Sequence, residues 1–102
     1  MTSYHFSDAN GNPSGGQTFG RGFAISWQNG PLAVDGVRKE PNGAFVEQVI
    51  EAAVDRINFY QRSKFASPYN EAALKHLMAA LEMLKTRTLD REARGVEGTH
   101  TL

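Results

Sequence analysis

The chain has 102 residues, with eleven basic side chains against eleven acidic ones, 40% hydrophobic residues, six Phe, three Tyr and one Trp. This suits one soluble domain, excludes a wholly disordered chain, and at zero net charge disfavours a broad grip on a DNA or RNA polymer. Without cysteine there is no disulfide, thiolate nucleophile or Cys-ligated zinc. No apolar run approaches the roughly 20 residues of a membrane span, so a soluble intracellular protein is expected, with no membrane partner.

Residues 1–20 are turn-rich and are expected to be flexible or strand-forming. Tyr4-His5-Phe6 has strand character, but Asn10-Gly11-Asn12-Pro13-Ser14-Gly15-Gly16 reads as a breaker of helix and strand alike. From Gly22 to Gln28, Phe23, Ile25 and Trp27 alternate onto one face, which is strand spacing. Asn29-Gly30 is a hairpin signal, weakened by Pro31, and Leu32-Ala33-Val34 is predicted to return as a second short strand, giving a β-hairpin over 21–35. Asp35-Gly36-Val37 and Pro41-Asn42-Gly43 then read as a linker, with Asn42 or Gly43 as N-cap of the next element.

A helix is predicted over 44–64, with Val46, Val49, Ile50, Ala53, Ile57 and Tyr60 on its apolar face. Ser67-Pro68 breaks the pattern. A second helix is predicted over 70–94, capped by Asn70, with Leu74, Leu77, Met78, Leu81, Leu84 and Thr88 as its stripe and Gly95 at its end. The tail 95–102 follows. The expected architecture is therefore α+β: a small N-terminal antiparallel β-hairpin, then a two-helix antiparallel hairpin, with 21–102 forming a single domain. Two helices and two strands leave Phe23, Ile25, Trp27, Phe45 and Phe59 short of partners, so a homo-oligomer is expected.

Arg87, Arg91 and Arg94 fall at helical spacing i, i+4 and i+7 and flank the leucine stripe. Either Asp90 and Glu92 neutralise a solvated face, or the three guanidinium forks clamp phosphates. Tyr60, with Arg56 one turn back, is either a packed aromatic or a platform for a purine. Asn70 is either a helix cap or a contact at a pocket rim. His5, His76 and His100 have no metal-ligand spacing, no phosphate-binding Gly-rich loop precedes a helix, and no serine sits in a nucleophile elbow. Neither an enzyme nor a cofactor is expected.

Arg87-Thr88, Arg91 and the Gly95-Val96-Glu97-Gly98-Thr99-His100 tail, with Gln28-Asn29-Gly30-Pro31, Gly36-Val37 and Asn70, resemble a known family. This is the phage-encoded sponges that inhibit Thoeris immunity, which share a helical-hairpin domain with the sponges that inhibit CBASS immunity. The resemblance covers about residues 21–100. It implies a protein of the infected host's cytoplasm that binds and sequesters cyclic nucleotide signals without cleaving them. The implied ligands are glycocyclic ADP-ribose isomers and, in some members, cyclic di- or trinucleotides in a separate pocket. The implied assembly is a homodimer, often built into a hexamer. Carried over by position, Tyr60 stacks on adenine, Asn70 contacts the ligand, and Arg87 and Arg91 hold the phosphates. Arg56, Thr88 and Arg94 stand behind these residues or line the separate pocket. The competing reading is a protein-interaction module that blocks a host defence effector by contact.

Overall fold

The computed structural model describes residues 1–102. Five strands precede two helices: β1 (Thr2–Ser7), β2 (Pro13–Gly20), β3 (Phe23–Asn29), β4 (Ala33–Val34), β5 (Val37–Arg38), α1 (Val46–Gln61) and α2 (Pro68–Ala93). The α+β class is as expected. The chain divides into a sheet unit, Met1–Phe45 with Glu92–Leu102, and a helical unit, Val46–Arg91.

In the sheet unit β1, β2 and β3 form an antiparallel meander, with Tyr4 opposite Gln17 and Phe19 opposite Ala24. The expected two-stranded hairpin is thus replaced by three strands, two of them within the first twenty residues. The segment read as a breaker is largely strand. Its Asp8 carboxylate accepts the amides of Asn10 and Asn12 at 2.9 and 3.0 Å and so closes the turn. These bonds favour the charged carboxylate and hold Asp8 below its ordinary value. Gly16 permits the pairing, because a Cβ there would lie only 2.1 Å from the Tyr4 carbonyl oxygen. Trp27 Nε1 donates to Thr18 Oγ1 at 2.9 Å, and Ser3 Oγ lies 2.9 Å from the same buried hydroxyl.

The Asn29-Gly30-Pro31 turn does not return β3 on itself. Instead β4 and β5 make their own two-residue ladder around Asp35-Gly36. Both turn residues have positive φ, 51° and 76°, as a tight type I′ turn requires, whereas Pro31 has no amide to donate. Asn42 is not a helix cap. It exchanges bonds with the β3 edge: Asn29 N donates to Asn42 Oδ1 (2.8 Å), and Asn42 Nδ2 donates to the Asn29 carbonyl (2.9 Å). Gln28 Oε1 accepts the amides of Asn42 and Gly43. Ala44 then runs parallel to Trp27, its amide bonded to the Ser26 carbonyl at 2.7 Å. Together these groups cover an edge that would otherwise offer bare backbone.

The tail returns to this unit. Arg38 and Glu97 form a two-pronged ion pair, and Ala33 N donates to the Gly98 carbonyl at 2.8 Å. The Glu97 carboxylate raises Arg38 above its ordinary value.

In the helical unit, α1 stops at Gln61, short of the expected Lys64. Ser63 donates both its amide and its hydroxyl to the Tyr60 carbonyl, which turns the last carbonyls inward. Helix α2 begins at Pro68, and Asn70 is not its cap. Ser67 Oγ accepts the Asn70 amide at 3.1 Å, and Pro68 takes the first helical position, where a missing donor costs nothing. The antiparallel packing of the two helices is not formed within one chain: no Cα of α1 comes within 8 Å of one of α2. Helix α1 buries no residue and α2 buries only Leu81. Leu74, Met78, Leu81 and Leu89 line an open groove of about 690 Å³ along α2.

Candidate functional site

The residues expected to bind ligand fall into two groups in the helical unit. The first surrounds the end of α1 and the link to α2. Arg56 Nε donates to the Tyr60 hydroxyl at 3.2 Å, and its guanidinium carbon lies 5.0 Å from the Tyr60 ring centre. It also lies 4.8 Å from the Phe59 ring, and both rings are exposed. Helical spacing i, i+4 places Arg56 and Tyr60 together, so this pair was visible in the sequence.

Asn70 is fixed by Gln61, which sequence reasoning missed. Gln61 Oε1 accepts Asn70 Nδ2 at 3.0 Å and Ser67 N at 2.9 Å, while Gln61 Nε2 donates to the Ser67 carbonyl. Asn70 Nδ2 also donates to the Phe65 carbonyl at 3.2 Å. With its amide nitrogen committed to the link, Asn70 has Oδ1 left to accept from a ligand donor such as an exocyclic amine. No periodic signal marks Gln61; the only hint was a polar residue at the foot of an apolar stripe.

The second group lies towards the end of α2. Arg87 and Arg91 stand one turn apart, about 6 Å along the axis. Arg87 is exposed with its guanidinium unpartnered, while Arg91 is half-buried and engaged within the chain. Thr88 Oγ1 donates back to the Leu84 carbonyl at 3.2 Å, so its proton is spent inside the helix. Arg94 belongs to the sheet unit, where its Nη2 donates to the Leu102 carbonyl at 2.8 Å.

One chain does not bring the two groups together. Asn70 and Arg87 sit on the same uninterrupted helix, about 25 Å apart at 1.5 Å per residue. A ligand of one purine and two phosphates cannot span that distance. No three His, Asp or Glu side chains gather in a metal-binding cluster, and no helix is long and apolar enough to cross a membrane.

The geometry defines a class: a small α+β protein with an aromatic-and-amide group at one end of a long helix and paired arginines at the other. No protein-family profile matches the chain. It is, however, 38% identical over 76 residues to Thoeris anti-defense 1 of Bacillus phage SBSphiJ7, a match covering 74% of this chain. The chain spans about half the length of that relative (51%). The chain belongs to the Thoeris anti-defence family.

Proposed function

We propose that the protein counters Thoeris immunity in the infected host's cytoplasm by sequestering a glycocyclic ADP-ribose signal without cleaving it. The observation that carries this reading is the split site. Tyr60 and Asn70 offer a ring and an amide for adenine; Arg87 and Arg91 offer forks for two phosphates. Because about 25 Å of helix separates them in one chain, a working pocket takes its base-binding half from one protomer and its phosphate-binding half from another.

The exposed apolar surface of the helical unit supports such an assembly: α1 buries no residue, α2 buries only Leu81, and Met78, Met83 and Leu89 of α2 stay exposed. A homodimer that covers the α2 groove takes part of this surface out of water, and dimers of this kind can build a hexamer. A preformed pocket between rigid helices loses little affinity to ordering, and nanomolar binding, about −12 kcal/mol, would deplete a signal when the protein is abundant.

The reading is tested by incubating the protein with glycocyclic ADP-ribose, removing unbound ligand, and heating. Release of unaltered ligand supports sequestration; a linearised or otherwise changed product overturns it in favour of an enzyme. Calorimetry against cyclic di- and trinucleotides shows in the same preparation whether CBASS-type signals also bind. If Arg87→Ala and Arg91→Ala abolish binding yet leave Thoeris inhibition intact, inhibition proceeds by contact with a host defence effector instead.

A further inference from the structure

Arg56 has no carboxylate in helical reach. Positions i−4, i−3, i+3 and i+4 are Ala52, Ala53, Phe59 and Tyr60. Of its five N–H donors one is used, by Nε on the Tyr60 hydroxyl at 3.2 Å. The guanidinium is nonetheless held in place, 4.8 Å from the Phe59 ring centre and 5.0 Å from that of Tyr60. A cation fixed over two aromatic rings, with both Nη groups unpartnered, is a pre-set anion donor. With Arg56 over one face of the exposed Tyr60 ring, a stacking base would take the opposite face.

We propose that Arg56 contacts the ligand directly, its two Nη groups bonding an anionic oxygen of a purine nucleotide whose base stacks on the far face of Tyr60. The proposal rests on Tyr60 being the stacking ring. It adds a third cation to the pocket, supplied by the protomer that holds the base rather than by the one supplying Arg87 and Arg91. The ligand class it selects is a purine with phosphate folded back close to the base, as in a cyclised nucleotide, rather than an extended one.

Glycocyclic ADP-ribose is titrated calorimetrically into the full chain and into Arg56→Ala, Arg56→Lys and Tyr60→Phe, at about 50 mM and about 500 mM salt. Helix content and oligomeric mass are checked for each variant. Arg56→Ala is expected to weaken Kd about tenfold or more and to flatten its salt dependence. Arg56→Lys, which keeps the charge but loses the fork, falls between. Tyr60→Phe, which keeps the ring but removes the hydroxyl that anchors Arg56 Nε, is expected to lose part of the Arg56 contribution and weaken Kd about threefold. Two results overturn the proposal: Arg56→Ala binding as the parent does, or weakening with an unchanged salt dependence, which would make Arg56 a positioning residue for the ring. If the parent chain itself binds no glycocyclic ADP-ribose, it is the sequestration reading that fails.

Discussion

Two chains carrying damage in opposite halves of the pocket should restore binding when combined. One variant combines Tyr60→Ala with Asn70→Ala, and the other combines Arg87→Ala with Arg91→Ala. Along α2 the two halves lie about 25 Å apart, and the proposed homodimer has each pocket draw one half from each protomer. Alone, the arginine variant loses two charge-assisted contacts of about 1.5–3 kcal/mol each, enough to weaken Kd at least a hundredfold. The other variant loses base stacking of about 1–3 kcal/mol together with the amide contact. In a mixed dimer one pocket collects all four substitutions and the other collects none. With random exchange half of the dimers are mixed, so one quarter of all pockets is restored at full affinity. Calorimetry of the co-expressed pair should therefore report the parent Kd at about a quarter of the parent stoichiometry. Binding no better than that of the separate variants would refute a pocket shared between protomers.

Three further outcomes are expected. Gly16→Ala should detach β1 from β2, because its Cβ would lie 2.1 Å from the Tyr4 carbonyl oxygen; the expected loss is about 2 kcal/mol or more, read by denaturant unfolding. Leu89→Asp places a charge on an exposed residue of the α2 groove and should lower the mass measured by light scattering towards 11.2 kDa without loss of helix content. The β1–β2 turn should loosen in acid. Asp8 is held below its unfolded value of 3.8, so its contribution is complete above that pH and disappears as pH falls through the lower folded value. Asn10 and Asn12 amide shifts followed by NMR should report this, and Asp8→Asn should abolish the transition.

The helices were the legible part of the fold. Leucines and valines recur at 3.6-residue spacing, Ser67-Pro68 marks the break, and Gly95, at φ 72°, lies just beyond the end of α2. The sheet was harder to read because its glycines serve close backbone approach at Gly16 and Gly43 rather than chain breaking. Two hairpin dipeptides competed, and Asp35-Gly36 formed the tight turn where Asn29-Gly30, followed by a proline, did not. At the candidate site, the Arg56–Tyr60 and Arg87–Arg91 pairs follow from helical spacing. The roles of Gln61, Gln28 and Asn42 do not. They depend on side chains bonding loops up to fifteen residues away, for which no periodicity exists.

The sheet unit begins at Met1 but is completed only by Glu92–Leu102, with Gly98 bonded to Ala33 and Glu97 paired with Arg38. The helical segment is thus inserted between two stretches of the sheet unit, and β4–β5 is tied to a partner 59 positions downstream of Arg38. A pairing so distant in sequence closes late, because the entropy of the long intervening loop is lost before the contact rewards it.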